Sequence, residues 1–501
     1  MASLKNVKFP TAHTVLFIIA AFVALLTWII PAGQYDRLSY NSDNDTLVQS
    51  NETNRLELPA TQSTLDELDI KIGIEKFKQG AISKPISIPG TYQKLEGNPQ
   101  GFVGFIKAPL RGIMESAEII LLVLIIGGLI SIINESKAFE AGIAWLSDKL
   151  KGKEFILIIL VTSLIALGGT TFGLEEETIA FYPILIPIFL AAKYDALVCV
   201  GSIYIGSSIG TLASTINPFS TIIASDAAGI NWTVGLTSRL IMLGLGLTLC
   251  IVYIIRYAQK IKKDPTKSII YDQYDEIRSL FPMADTNTMA RLDLKLKLVL
   301  LVFALAFVLM VYGVSQLGWW FTEMTAVFLT AALLIGFLTR MNEKKFVDAF
   351  MNGAKDLLSV AFIIGIARGV TVLMEDGQVS DTLLFYASEL TAAMPKGLFI
   401  NVAYLLYTGL TFFIPSSSGM AVLTMPIMAP LSDGFGIGRE IMVSAYQYGV
   451  GLFKIINPTG ILLASLAIVN VGYNKWLKFV MPLVLLLAIL SMTILTIGVY
   501  F

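Results

Sequence analysis

Two runs of residues, 240 positions apart, set Gly, Ser, Thr, Asn and Pro in the middle of apolar stretches long enough to cross a membrane. Ser202–Ser225 reads SIYIGSSIGTLASTINPFSTIIAS, and Tyr446–Ser465 reads YQYGVGLFKIINPTGILLAS. Ile216-Asn217-Pro218 meets Ile456-Asn457-Pro458 in this pairing, and Ala224-Ser225 meets Ala464-Ser465. Proline removes a backbone donor and clashes one turn back, and hydrocarbon offers the freed groups no water. Such a run is tolerated only where the opened backbone is buried in protein or lines a polar cavity. Each is therefore expected to be a broken membrane helix, with Gly206, Gly210 and Pro218 at the first break and Gly449, Gly451 and Pro458 at the second.

The rest of the chain fits a polytopic membrane protein embedded in a lipid bilayer. Hydrophobic residues make up 55% and charged residues 15%, with a mean hydropathy of +0.72, whereas a soluble domain carries about 25% charged residues. Cys199 and Cys250 lie in apolar segments and His13 is the single histidine, which argues against a disulfide framework and against a Cys- or His-based metal site. The net charge of −1 gives no reason to expect a nucleic-acid partner. No nucleotide-binding motif is present and no cofactor is expected.

Residues 1–31 hold a first span, His13 to Ile30, preceded by Lys5 and Lys8. With no small-residue cleavage pattern it reads as a retained helix whose N-terminus is cytoplasmic. Residues 32–100 form a polar loop with a slight acidic excess, expected outside. Residues 101–258 form a first repeat, in which Gly168–Ala192 is read as a re-entrant hairpin. Parity then requires Ala138–Lys151 to cross, and this puts Lys149, Lys151 and Lys153 outside, against the positive-inside tendency. Residues 259–297, opened by Lys260, Lys262, Lys263 and Lys267, form a cytoplasmic linker, and 298–343 hold two linking spans. Residues 344–501 form a second repeat with spans at Asp356–Met374 and Ser380–Ala393, a hairpin at about 414–431, and a final span; about thirteen spans are expected in all. One repeat starts outside and the other inside, so the halves are inverted. Inverted repeats whose broken helices meet near the midplane mark secondary transporters.

The two hairpins carry different chemistry. Gly173-Leu174-Glu175-Glu176-Glu177-Thr178 is either a solvated loop or a hairpin tip, and three carboxylates at membrane depth call for water, a cation or a shared proton. Its counterpart Pro415-Ser416-Ser417-Ser418-Gly419 offers hydroxyls and amide N–H groups, as suits an anionic group. Around the breaks, Ser208, Thr215, Asn217, Asn457 and Thr459 are further candidate substrate contacts. A molecule with a cationic and an anionic end could span the two tips. Glu175 with Asn217 could instead hold a coupling Na+, or the glutamates could carry H+. Lys454 stands where the first repeat has Ser214, and is expected to replace a coupling cation or to pair with a carboxylate of the first hairpin. Arg368 and Glu375 read as an ion pair fixing their span, with substrate-carboxylate binding by Arg368 as the other reading. An intramembrane hydrolase lacks its motifs here, with no Gly-x-Ser-x-Gly elbow and no HExxH. A channel sits poorly with antiparallel halves.

The opening FPTAHTVLFIIAAFVALLTWIIPAGQYD, the segments GGTTFGLEEET and FYPILIPIF, the NPFSTIIAS run and FFIPSSSGMAVLTMPIMAPL resemble the YfcC family, within the group of C4-dicarboxylate anaerobic carriers (DcuC). The resemblance spans nearly the whole chain. It implies an all-α bacterial inner-membrane transporter with inverted repeats, paired re-entrant hairpins and two broken helices, of the ion-transporter type, working by an elevator motion and as a homodimer. It places the site at Glu175–Thr178, Ser416–Ser418, Asn217, Pro218, Asn457 and Pro458. It leaves open whether the substrate is a small basic amino acid or a C4-dicarboxylate. Lys454, where a small polar residue would be expected, and the long outer loop depart from the pattern.

Overall fold

A computed structural model describes residues 10–500 apart from 52–53, 71, 79–81, 83–84, 140, 143–144, 146–152, 282–292, 318 and 392–393. After α1 (Ala12–Ile29) and the outer loop come α2 (Phe102–Glu115), α3 (Ala117–Glu135), α4 (Phe155–Phe172), α5 (Tyr182–Ala191), α6 (Ala196–Leu212), α7 (Ile223–Ala227) and α8 (Leu236–Lys263). Two further spans, α9 (Leu294–Leu317) and α10 (Phe321–Thr339), lead to α11 (Glu343–Asp356), α12 (Leu358–Asp376), α13 (Ser380–Thr391), α14 (Lys396–Phe413), α15 (Ser417–Gly434), α16 (Arg439–Lys454), α17 (Leu462–Ile468) and α18 (Tyr473–Tyr500). The bounds of α2, α3 and α4 recur in α11, α12 and α14 at a constant offset of 241. The chain is thus an all-α membrane protein built of two copies of one helical plan.

Ion pairs and hydrogen bonds sort the helix ends onto two faces. On the face of the 32–100 loop, Gly33 N–H donates to Gln378 O at 3.0 Å and Asn98 Nδ2 to Asp376 O at 2.9 Å, while Arg37 pairs with Asp381 at 2.6 Å. Arg439, which opens α16, donates to Ala228 O at 2.8 Å, and Lys396 at the start of α14 reaches Gly436 O at 3.4 Å. On the linker face, Glu154 pairs with Lys262 at 2.8 Å, Asp195 accepts from Tyr257 Oη at 2.7 Å and Ser268 Oγ at 2.6 Å, and Lys475 meets Asp272 at 2.8 Å. The start of α4 and the end of α5 therefore share the linker face, and the start of α14 and the end of α15 share the loop face. One helical hairpin opens to each side, which is the inversion.

This corrects several expectations. The first arm of each hairpin is a whole helix, α4 or α14, so the hairpins are longer than 168–192 and 414–431. Because α4 starts on the linker face, no crossing at Ala138–Lys151 is required. Most of that stretch lies outside the described residues, as do Lys149 and Lys151. Lys153 adjoins Glu154 on the linker face, so the conflict with the positive-inside tendency disappears there. Likewise α13 connects α12 to α14 along the loop face and is not a span. Nine crossings follow among the described residues, with two hairpins beside them.

Apolar residues of α1, α8, α9, α10 and α18 such as Leu25, Leu245, Leu305, Phe337 and Leu485 are exposed, as a lipid-facing belt requires. The 32–100 loop is a small β structure. Strands β1 (Gly33–Gln34), β2 (Arg37–Asn41), β3 (Thr46–Ser50), β4 (Arg55–Pro59), β5 (Ile86–Ser87) and β6 (Gln93–Lys94) form an antiparallel sheet ordered β4-β3-β2-β5 and a separate β1-β6 pair. Arg37 lies opposite Ser50, and Leu47 opposite Leu58. Leu38, Leu47, Leu65, Phe77 and Ile86 fill its core.

Candidate functional site

The first hairpin turns at Gly173, whose φ of +79° is the left-handed region that only glycine enters without strain. A Cβ there would also meet Asn217 Nδ2 at 2.9 Å. The break between α6 and α7 is sewn onto the end of α4. Thr215 N–H and Ile216 N–H donate to Thr170 O at 3.1 and 3.2 Å, Thr170 Oγ1 donates to Ala213 O at 2.8 Å, and Asn217 Nδ2 donates to Gly169 O at 3.1 Å. Asn217 Oδ1 in turn accepts from Phe219 N–H at 2.8 Å, capping the turn that restarts after Pro218. Backbone groups opened by the proline thus find partners inside the protein.

The second break repeats the device. Asn457 Nδ2 donates to Thr411 O at 3.4 Å, and Asn457 Oδ1 accepts from Thr459 N–H and Thr459 Oγ1 at 3.0 and 2.7 Å. Trp476 Nε1 donates to Ile455 O at 2.9 Å, and Tyr473 Oη to Ile456 O at 2.6 Å. At the second tip Ser416 Oγ accepts from Gly419 N–H at 3.1 Å and lies 3.4 Å from Ser418 Oγ, while Tyr446 Oη donates to Ser417 O at 2.7 Å.

The two broken helices cross each other. A Cβ on Gly451 would lie 2.3 Å from Leu212 Cα, one on Gly210 2.4 Å from Ala166 O, and one on Gly449 2.7 Å from Tyr404 O. These glycines, with Gly206 beside Thr162 and Ile165, are therefore points of close helix approach. They do not break the helices, since α6 runs on to Leu212 and α16 to Lys454; the first break covers 213–217, with Pro218 opening the turn that follows, and the second covers 455–461 around Pro458. The return arms touch both repeats, α15 packing on α7 as well as on α16, and α5 on α17 as well as on the start of α6.

Lys454 ends α16 with its ammonium on the Glu175 carboxylate, and its carbonyl accepts from Tyr204 Oη of α6 at 2.9 Å. The two side chains are 10% and 22% exposed. Glu177 accepts the Glu175 N–H at 3.2 Å, Thr178 Oγ1 donates to Glu175 O at 2.5 Å, and Ser207 Oγ to Leu174 O at 2.5 Å. Glu176 and Glu177 make no ion pair of their own among the described residues, and the charge of Lys454 acts on Glu176 as well as on Glu175. At the first break Ser214, Ser220 and Thr221 form a hydroxyl cluster, with Ser220 Oγ 2.9 Å from Ser214 Oγ and Gln447 Nε2 of α16 donating to Thr221 Oγ1.

The remaining sequence candidates divide by what they touch. Ser208 Oγ donates to Tyr204 O at 2.8 Å and Thr215 Oγ1 to Thr170 O at 3.2 Å, so both hydroxyl protons serve the chain itself. Arg368 lies between α2 and α12, 2.8 Å from Glu115 and 3.4 Å from Glu375, beside the Arg111–Asp376 pair. No group of three or more His, Cys, Asp or Glu able to hold a metal ion occurs among the described residues. Tyr204, Tyr446, Gln447 and Thr221 were missed by sequence reasoning. Gln447, Gly451 and Lys454 recur at i, i+4 and i+7, one face of a helix, and that spacing was the available signal.

Comparison with known proteins shows which family the sequence belongs to. The model of the C4-dicarboxylate anaerobic carrier family matches residues 9–500. An uncharacterised protein of Haemophilus influenzae is 44% identical over 99% of this chain and 98% of its own length. YfcC of Escherichia coli (strain K12), provisionally named a basic amino acid antiporter, is 27% identical over 96% of this chain and 94% of its own. Among solved structures, the Alcanivorax borkumensis YdaH transporter aligns over 97% of this chain and 98% of its own at 15% identity with a TM-score of 0.37. Neisseria gonorrhoeae MtrF, of a class of antimetabolite efflux pumps, aligns over 98% and 95% at 15% identity with a TM-score of 0.40. Both scores are too low to carry an argument. The family match over nearly every residue, together with the 44% relative, is decisive: the chain belongs to the C4-dicarboxylate anaerobic carrier (DcuC) family of membrane transport proteins.

Proposed function

We propose that this membrane transporter is a secondary carrier for a small amino acid, with basic ones such as arginine or ornithine preferred, moved across the bacterial inner membrane by alternating access. The observation that carries the reading is the acidic tip. Hairpin α4–α5 brings Glu175, Glu176 and Glu177 together near the end of α16, where one ammonium, Lys454, pairs with Glu175 and no ion pair of Glu176 or Glu177 occurs among the described residues. Carboxylates at membrane depth favour a cationic ligand. The hydroxyls and N–H groups at Ser416–Ser418 suit the carboxylate end of the same molecule. Lys260, Lys262 and Lys263 at the end of α8 support a cytoplasmic linker face, and with it a cytoplasmic N-terminus. Opposed hairpins support an elevator-type exchange of one central site between the faces. Driving by counter-substrate, Na+ or H+, and assembly as a homodimer, complete the proposal; no enzymatic step and no cofactor enters it.

The second reading is a C4-dicarboxylate carrier, favoured by the family's description. It would enlist Arg368 or Lys454 for carboxylates. Both cations already hold glutamates, Glu115 and Glu375 for Arg368 and Glu175 for Lys454, which favours the first reading. Counterflow in proteoliposomes preloaded with arginine or with succinate decides between them. Uptake driven by arginine is expected, and uptake driven by succinate alone would overturn the amino-acid preference.

A further inference from the structure

The Lys454–Glu175 pair points to a role beyond holding two helices together. We propose that Lys454 is a tethered stand-in for the cationic end of the substrate. Its ammonium occupies the acid tip while the carrier is empty and is displaced when substrate enters. The inference rests on the cationic-substrate reading above.

Two observations and one energetic consequence carry it. The pair joins opposite repeats, Lys454 from the second broken helix and Glu175 from the first hairpin, at the point where the structure concentrates carboxylates. Lys454 ends its helix and its carbonyl is held by Tyr204 at 2.9 Å. The backbone is therefore pinned while the four-carbon stem above it remains rotatable, so the ammonium can leave Glu175 without moving α16. Finally, the pairing changes what an empty site contains. A buried carboxylate is expensive to carry across a membrane, and an internal ammonium offsets the Glu175 charge and so lowers that barrier for the substrate-free carrier.

A competing ammonium and a structural pin predict opposite signs. If Lys454 only braces the tip, its loss loosens the site and weakens binding. If it competes with substrate, its loss tightens binding of a cationic substrate. In that case the empty carrier, now bearing an uncompensated carboxylate, returns slowly. Exchange between loaded forms survives while net flux falls. Lys454→Arg keeps the charge and is expected to recover part of the net flux lost in Lys454→Gln, and the counterflow retained by Lys454→Gln separates lost charge from a misfolded variant.

The experiment uses the full-length protein, wild type, Lys454→Gln and Lys454→Arg, with arginine and succinate as probes. Binding is read by calorimetry in detergent, and net efflux and counterflow by isotope in proteoliposomes. The expected result is arginine binding at least about fivefold tighter in Lys454→Gln than in wild type, with the ratio of net efflux to counterflow reduced at least about tenfold. Lys454→Arg should raise the ratio of net efflux to counterflow above that of Lys454→Gln without reaching wild type, since a planar guanidinium does not reproduce a compact ammonium. Weaker arginine binding in Lys454→Gln, or an unchanged flux ratio, overturns the stand-in role while leaving the substrate reading intact. Wild type that binds succinate and not arginine sinks the substrate reading, and loss of succinate binding in Lys454→Gln would then make Lys454 a carboxylate ligand and sink the stand-in role as well. Arginine and succinate both failing to bind wild type overturns both.

Discussion

Gly451 of the second broken helix passes against Leu212 of the first, so close that a Cβ on Gly451 would sit 2.3 Å from Leu212 Cα and 2.6 Å from its amide nitrogen. Backbone cannot give way as a flexible side chain can, so this crossing fixes how the two repeats meet and where Lys454, three residues on, is aimed.

Gly451→Val is expected to destabilise the protein by about 1–3 kcal/mol or more through overpacking. The control is Gly244→Ala in α8, where a Cβ meets nothing within 4 Å, and which is expected to leave stability within about 0.5 kcal/mol. Thermal unfolding of the two variants in detergent, read by size-exclusion chromatography, measures the contrast. Equal melting temperatures would remove the crossing from the account.

The two asparagines that staple the breaks are expected to act chiefly on stability. Asn217→Ala removes a cap to Phe219 N–H and leaves Gly169 O short of a donor; the expected loss is about 1–3 kcal/mol. Asn457→Ala should cost somewhat less, since its bond to Thr411 O is longer at 3.4 Å. Comparative melting of the two variants checks the order as well as the size.

Asp226, 1% exposed, is met by the Lys76 ammonium of the outer loop at 2.9 Å, which is its one ion pair among the described residues. Lys76 itself is 40% exposed, so solvent screens the pair in part. Lys76→Met is expected to destabilise more than Asp226→Asn, because the first strands a buried charge and the second removes it. A double-mutant cycle on melting temperature reads the coupling, and the reverse order would contradict the assignment.

The outer loop provides a pH prediction. In the turn region between β2 and β3, Asp45 lies below its ordinary 3.8, first because of the Lys78 hydrogen bond and then because of the one from Tyr40. Lys78 lies above its ordinary 10.5, first because of its hydrogen bond to Asp45. The Asp45 contribution is present above pH 3.8 and is lost as pH falls through the depressed value. The Lys78 contribution is full below pH 10.5 and is lost as pH rises through the elevated one. Resistance of the loop to proteolysis should therefore be flat between about pH 5 and 9. The small advantage of wild type over Asp45→Asn should vanish at strongly acid pH, where Asp45 is protonated, and again at strongly alkaline pH, where Lys78 is neutral.

Much of this plan was legible in the residues. The Ile-Asn-Pro pair located both breaks, because proline's missing N–H acts locally. Their shared offset also exposed the repeat, and an acid from the first hairpin was among the partners anticipated for Lys454. The hairpin arms were not legible. The 18-residue run Phe155–Phe172 is as apolar as a span, and composition does not tell a helix that crosses from one that turns back. What decides it is Glu154 meeting Lys262 at 2.8 Å, a contact between residues far apart in sequence. Phe102–Glu115 was missed because Pro109 inside it reads as a breaker. Gly206, Gly210, Gly449 and Gly451 were read as breaks because glycine signals both flexibility and close packing, and only the neighbouring helix shows which.

Alternating access of one central site is the central claim, and two-sided labelling tests it most directly. Cys199 and Cys250 are buried free thiols, so in a Cys199→Ala, Cys250→Ala background a Ser416→Cys reporter is unique. A membrane-impermeant maleimide is applied to either face of oriented proteoliposomes, with and without arginine. The account predicts labelling from both faces, with arginine shifting the two rates in opposite directions. Labelling confined to one face, unchanged by arginine, would contradict it.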